Sequence, residues 1–253
     1  MRILITGHKG FIGQNMVKAL SGHDLVLCDW GDKYSLTGVD RVIHLGAISD
    51  TRCQDWEALQ KQNVRYSIDL MDECQNCRIP IQISSSASVY GPNNTTFRET
   101  DDIYPANLYA KSKAAIEIYF ELLHPVSPIQ IFRYFNVYGP CEDHKGDQAS
   151  PFHKFYEQAK TGTITLFEGS DEFRRDFIHV DEVINTHKAF FNVDESGIWN
   201  IGTGETLSFN DVASLVGSEF SAKIEYIPMP EQLQAAYQKF TRADMTKLRS
   251  TLG

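Results

Sequence analysis

The chain has few of the features that would mark a secreted, membrane-bound or nucleic-acid-binding protein. Its 253 residues include five cysteines, Cys28, Cys53, Cys74, Cys77 and Cys141. The number is odd and the spacing scattered, so a disulfide framework is not expected. Cys74 and Cys77 form one lone C-x-x-C where a helix should end. A metal would need two more ligands in a comparable cluster, and the sequence offers none, so no metal is assigned. No apolar run is long enough to span a bilayer, and no leader precedes the first strand. No membrane partner and a cytoplasmic location are therefore expected. Cations are in deficit, 24 Lys and Arg against 33 Asp and Glu, giving a net charge of −9. A surface of that sign does not favour nucleic acid, although a local basic pocket for phosphates is compatible with it. There is no internal repeat and no low-complexity stretch. The length suits one large or two small domains with a substantial core.

What is present begins at the N-terminus. The apolar run Arg2-Ile3-Leu4-Ile5-Thr6 enters Gly7-His8-Lys9-Gly10-Phe11-Ile12-Gly13, followed by the helix-compatible Gln14 to Leu20. This reads as a buried parallel strand turning sharply into a helix. Gly7, Gly10 and Gly13, with Phe11 and Ile12, are placed to let the backbone approach a pyrophosphate at the helix N-terminus. The spacing is GxxGxxG rather than GxGxxG, and glycines needed only for packing would look the same. The second strand, Asp24 to Asp29, ends in a carboxylate. Asp29 is where an acid accepts hydrogen bonds from an adenosine ribose and repels a 2'-phosphate. It leans toward NAD over NADP; Lys33 could soften that preference, and Asp29 also suits a plain turn with Gly31 and Asp32.

The next strand is Asp40 to Ala47. Only ten residues separate Asp29 from Asp40, too few for a crossover helix and a further parallel strand. The third strand of the nucleotide-binding half is expected to be lost or reduced to a loop. Gly46 and Ala47 are small enough to pass beneath the cofactor. Residues 55–77 have a helical pattern, with Asn63 either exposed or an anchor for cofactor. The strand at 79–84 delivers Ser84-Ser85-Ser86-Ala87-Ser88 to its C-terminal edge, where open α/β sheets place chemistry. A loop over 91–96 precedes a helix from Leu108 to about Leu123, and 128–136 returns as a strand. This alternation predicts an α/β, doubly wound Rossmann-type parallel sheet. After Pro140 the rhythm loosens: helices are expected over 151–161, 183–191 and 209–215, and strands at 164–167, 199–202 and 224–227. Residues 1–140 are read as mainly the nucleotide-binding domain. Residues 141–253 are read as mainly a small C-terminal substrate lobe, with segments around 175–202 returning to the main domain.

Tyr109 and Lys113 lie one helical turn apart and face the same way. A free phenol has a pKa of about 10, too high for an efficient base near neutrality. A neighbouring ammonium favours the phenolate, and the same lysine can hold the nicotinamide ribose. Ser86, from the adjacent strand end, can hydrogen-bond the reacting hydroxyl. The trio permits hydride transfer from a carbinol carbon to a nicotinamide. Lys145 is either a solvent-facing loop cation or an acid/base opposite Tyr109. Arg174 and Arg175 suit a diphosphate, with salt bridges to Asp171, Glu172 or Asp176 as the alternative. His179 fits packing or capping as well as a ligand role, and Phe167 fits the core as well as a base stack.

Three strings carry a family resemblance: Thr6 to Gly13, Ser84-Ser85-Ser86-Ala87-Ser88-Val89-Tyr90-Gly91, and Tyr109-x-x-x-Lys113. Arg133 to Pro140 and Arg175 to Asp181 add to them. The chain resembles the extended short-chain dehydrogenase/reductases, the nucleotide-sugar epimerases and dehydratases. Within that family, Glu142 to Gly146, Leu166 to Phe177, and the tail from Tyr226 through Tyr237 to Asp244 are similar to the branch acting on ADP-heptose in lipopolysaccharide synthesis. The resemblance implies inversion of C6'' by transient oxidation and re-reduction with tightly bound NAD or NADP. It implies Tyr109 and Lys145 on opposite faces of the reacting carbon and Ser86 near its oxygen. Asn136, His153 and Tyr237 would surround sugar or phosphate, with Phe167 beside the adenine and Arg175 on the diphosphate. It also implies a homo-oligomer. The family continues beyond Gly253 with a further loop and helix, and this chain stops there, as a compact natural variant, a viral or reduced homologue, or a clipped chain. Another nucleotide-sugar epimerase is the runner-up. A 4,6-dehydratase fits less well, because Ser86-Ala87-Ser88 lacks its Asp-Glu pair. A nucleotide-sugar-binding protein without turnover is the contrasting class.

Overall fold

The computed structural model describes residues 1–93, 95–230 and 238–253. Its first half runs β1 (Arg2–Thr6), α1 (Phe11–Ala19), β2 (Asp24–Cys28), β3 (Arg41–His44), α2 (Trp56–Leu59), a π-helical segment (Gln60–Arg65), α3 (Tyr66–Cys77), β4 (Ile81–Ser86), β5 (Thr95–Phe97), α4 (Leu108–Glu121) and β6 (Ile129–Tyr134). The second half holds β7 (Asn136–Tyr138), α5 (Pro151–Ala159), β8 (Thr163–Phe167), β9 (Arg174–Arg175), β10 (Phe177–His179), α6 (Val180–Ala189), β11 (Gly197–Ile201), β12 (Leu207–Ser208), α7 (Phe209–Phe220), β13 (Lys223–Ile227), β14 (Phe240–Ala243) and α8 (Thr246–Leu252).

Six strands form one sheet in the order β11-β6-β4-β3-β1-β2, and every neighbouring pair is parallel. This is the Rossmann-type arrangement that the strand–helix alternation predicts. Period-2 alternation decides which face each side chain joins. Ile3 and Ile5 pack with Phe11, Met16, Val180 and Ile184, so α1 and α6 cover one face. Leu4 joins Val42, Leu70, Met71, Ile116 and Ile131, so α3 and α4 cover the other. Strands covered on both faces read as unbroken apolar runs, as β1 does. The edge strand β2 is only half covered and leaves Leu27 exposed. Residues 29–40, which follow β2, form neither helix nor strand.

Around this sheet the later elements build a second, smaller core. Phe155, Ile164, Leu166, Phe177, Val212, Ala213 and Val216 bring α5, α7 and β8 together, and β13 pairs parallel to β8. β11 returns to the central sheet beside β6. Among the described residues, no helix is long and apolar enough to cross a membrane.

Several local boundaries differ from the sequence reading. Helix α6 starts at Val180, because the His179 ring accepts from the Asp181 N–H at 3.2 Å and caps it. Helix α7 runs on to Phe220, its start fixed by a capping box between Ser208 and Asp211. β5 begins inside the expected 91–96 loop and runs one residue past it. It is short and polar, and its partner β14 is almost 150 residues away, with Thr241 opposite Thr95. A local pattern does not reveal such a pairing.

Candidate active site

The sheet reverses its order of strand addition at β1, where β2 lies on one side and β3 on the other. Ligand crevices in open α/β sheets form at such switch points, beyond the strand C-termini. The turn after β1 meets the end of β3 there. Gly7 adopts φ +71°, and a Cβ on it would fall 2.5 Å from the Gly46 backbone. A Cβ on Gly13 would fall 2.1 Å from the Gly7 carbonyl oxygen. Both glycines are therefore compelled by backbone packing, the plainer of the two readings of the motif. Gly10 is different, because a Cβ there meets nothing closer than 3.4 Å. It begins α1 with no side-chain cap and no acidic residue in the first turn. An uncapped helix N-terminus facing a cavity suits an anionic diphosphate, so this site fits a dinucleotide.

A single cavity collects most of the residues singled out in the sequence. Gly7, Gly10, Phe11, Ile12, Gly13, Asp29 and Ala47 line it, together with Tyr109, Lys113 and Lys145. Asp29 also receives the Trp30 N–H at 2.9 Å, so it takes part in the turn as well as lining the cavity. Ser84, Ser85, Tyr134 and His144 line the cavity too, and sequence reasoning did not select them as site residues. Tyr134 ends β6 as the serines end β4, so strand-end position was the signal that could have found it. Its hydroxyl lies 2.5 Å from His187 Nε2, and His187 Nδ1 lies 2.8 Å from Gln82 Oε1. Beneath Ser85, Glu117 accepts its hydroxyl at 2.5 Å and pairs with Arg133 at 2.7 Å.

Helix α4 is started by Asn107, whose side chain accepts from the Ala110 N–H at 2.8 Å. This sets Tyr109 and Lys113 on its inner face, both buried. Lys113 donates to the Ser84 carbonyl at 2.8 Å. Burial brings its ammonium down to about 8, opposed by Glu117 one turn along. Burial also pushes the Tyr109 phenol up, and a hydrogen bond with Ser86 pulls it back. Desolvation is the larger of these two influences, and the lowering by Lys113 that helical spacing suggests is not among them. Ser86 Oγ accepts from the Ser88 N–H at 3.2 Å. Lys145 sits on the 3-10 turn over 143–148, 5.1 Å from the centre of the Phe11 ring. Its ammonium is lowered by burial.

The other candidates lie elsewhere. Asn63 is fully buried where the π-helical segment turns it inward, and it is not exposed. Its amide exchanges hydrogen bonds with both backbone groups of Ile48 and donates to Ser112 Oγ at 2.9 Å. It is set beneath the loop after β3, not in the cavity wall. Asn136 donates to the Asp176 carbonyl at 3.0 Å. His153 lines a separate cleft with Tyr138 and His179. Phe167 lines a cavity of the smaller lobe with Phe155, Phe173 and Phe209. Arg175 lies 5.7 Å from the Phe209 ring and donates to the carbonyls of Arg174 and Gln238. Arg174 reaches Asp211 at 3.6 Å, an acid not among the partners suggested by sequence. Tyr237 lies outside the described residues. Of the C-x-x-C pair, Cys74 is buried in the core and Cys77 is exposed. Among the described residues, Asp143, His153 and Glu157 bring ligand atoms within 4.8 Å of one another, although Glu157 already pairs with Lys160 at 2.7 Å.

The chain matches known proteins along nearly all its length. The ADP-L-glycero-D-manno-heptose-6-epimerase of Brachyspira hyodysenteriae is 38% identical over 288 aligned positions, covering 98% of this chain and 91% of that protein. The protein of that name from Alkalilimnicola ehrlichii is also 38% identical, covering 98% of this chain and 90% of its own length. The fold of the Helicobacter pylori ADP-L-glycero-D-manno-heptose-6-epimerase superposes with a TM-score of 0.86 at 24% identity, over 99% of this chain and 90% of that one. Residues 3–202 match the model of one family, and that span includes the glycine turn, Tyr109, Lys113 and Lys145. The chain belongs to the NAD dependent epimerase/dehydratase family.

Proposed function

We propose that the protein is an ADP-heptose 6-epimerase, inverting C6'' of ADP-glycero-manno-heptose with NAD or NADP held in the cavity. The observation that carries this reading is the meeting of Tyr109, Lys113 and Lys145 with the glycine turn around one cavity. The identity to the two bacterial heptose epimerases over 98% of the chain supports the substrate. Gly7, Gly10, Phe11, Ile12 and Gly13 would hold the diphosphate, and Asp29 the adenosine ribose, which favours NAD. Ala47 allows close contact, Asn63 anchors the loop beneath it, and Tyr109 and Lys113 hold the nicotinamide ribose. When bound, the nicotinamide supplies reversible acceptance of a hydride from the sugar carbon.

The protein's own groups move the protons. Tyr109, kept in place by Ser86, removes the hydroxyl proton from one face of the carbon, and a transient ketone results. The ketone turns within the site, and Lys145 returns a proton to the oxygen on the other face. Two carriers are needed because the oxygen changes side when the carbon face does. Asn136, His153 and Tyr237 contact sugar or phosphate, Phe167 the adenine, and Arg175 the diphosphate. In this reading residues 1–140 form mainly the nucleotide domain and 141–253 mainly the substrate lobe, with 175–202 returning to the first. Residues 29–40, which form neither helix nor strand, are read as what is left of the third-strand region. A cytoplasmic homo-oligomer completes the proposal. The test is incubation of the protein with ADP-heptose and separation of the two epimers. Conversion of either epimer to the other is expected, and no conversion with cofactor bound would contradict the assignment.

A further inference from the structure

Glu142 stands one turn before Lys145 and is 0% exposed. A carboxylate so fully withdrawn from water must be matched by donors, and it is. The Gly139 N–H donates to its Oε1 at 3.1 Å, the Ser150 hydroxyl donates to the same oxygen at 2.7 Å, and the Ser150 N–H donates to Oε2 at 2.7 Å. Three donors on two oxygens leave the group an acceptor throughout, as an ionised carboxylate is. Those donors come from either side of the turn that carries Lys145. Gly139 follows β7, and Ser150 caps α5 by accepting from the His153 N–H at 3.2 Å. The Glu142 carbonyl accepts from the Lys145 N–H at 2.8 Å, and Oε2 lies 3.8 Å from the Lys145 ammonium. The turn between them contains Gly146 at φ +50° and ψ −125°, a kink that a clamp at both ends holds in shape.

We propose that Glu142 is the positioning residue for Lys145: its buried carboxylate closes the 143–148 turn at both ends and holds the ammonium against the cavity. The inference rests on the reading of Lys145 as a proton carrier. The groups facing that ammonium are few. Glu142 attracts it, Lys154 of α5 repels it, and the Phe11 ring lies against it. Asp29, Tyr109, Lys113, Tyr134 and His144 share its cavity. Removing the Glu142 charge leaves burial and Lys154 unopposed, both of which favour loss of the Lys145 proton.

The test compares Glu142→Gln with the parent after reductive methylation of lysines with a carbon-13 label, titrated by NMR. The Lys145 resonance is identified by its loss in Lys145→Met. Its titration midpoint should move down by about one pH unit or more in Glu142→Gln, and epimerisation should slow at least about tenfold with cofactor still bound. An unmoved midpoint with activity within about twofold of the parent would overturn the proposal. If Glu142→Gln does not fold, Glu142→Asp keeps the charge and shortens the reach. A midpoint like that of the parent with a slower reaction would then support it, and an unchanged rate would overturn it. The NMR titration reads Lys145 without turnover, so failure of the epimerase reading would show separately as an inactive parent.

Discussion

Tyr109, at the start of α4, and Lys145, on the turn before α5, line one cavity although 36 positions separate them in the chain. Neither is a surface side chain: Tyr109 is 9% exposed, and the Lys145 side chain 22%. In the proposed reading, an alcohol carbon placed between them would have a proton carrier from each of two independent elements.

Replacing Tyr109 by Phe removes the hydroxyl and keeps the ring that packs beside Ser86. The expected outcome is a fall in kcat of about 10²-fold or more, the scale of general acid–base catalysis, with cofactor retained. Activity close to that of the parent would remove Tyr109 from the mechanism.

Lys145→Met should affect the two epimers unequally. Oxidation beginning from the epimer whose proton Tyr109 takes should persist, and oxidation of the other should be lost. Single-turnover absorbance of reduced nicotinamide with each epimer checks this. Equal rates from both would make Lys145 a bystander.

Arg175→Ala should raise KM about tenfold with kcat little changed, as expected for one charge-assisted contact to phosphate. Its guanidinium also holds the Gln238 carbonyl, so a melting curve must accompany the kinetics. An unchanged KM in a folded variant would count against the diphosphate role.

The fold should weaken in mild acid because of two buried histidines. His44 and His187 are wholly buried, and burial brings both down to about 3. His44 is held between Thr6 Oγ1 at 2.6 Å and Ser67 Oγ at 2.7 Å. Between that value and the ordinary one near 6.5, the unfolded chain binds protons that the folded chain does not. Stability must therefore rise with pH through this window and fall as pH drops below 6.5. At about one pH unit below 6.5 the loss is roughly 1.4 kcal/mol per histidine. Melting temperature followed from pH 7.5 to 5.5 should fall, and His187→Gln should flatten the slope. A flat profile in the parent would show that these rings are solvated.

The glycine turn, the strand–helix alternation and the Tyr109/Lys113 pair were legible because each is a short-range pattern. The continuous apolar strands, the one-turn spacing and the turn glycines all state their geometry within about ten residues. What was not legible depends on partners distant in the chain. Tyr134 enters the cavity because β6 lies beside β4, and its hydroxyl meets His187, which is 53 positions away. Asn63 faces inward because a π-helical segment interrupts the helix there, a register change that an apolar pattern does not encode. Glu142 reads as one more loop acid until Ser150 folds back onto it. The raised Tyr109 phenol likewise comes from burial in the folded chain, not from helical spacing.

If one carbon is inverted by oxidation and return at the same centre, its hydrogen does not exchange with solvent. ADP-heptose carrying deuterium at C6'' and incubated with the enzyme in ordinary water tests it most directly. The inverted product should keep its deuterium at C6''. Inverted product that has lost the label to solvent would contradict the account.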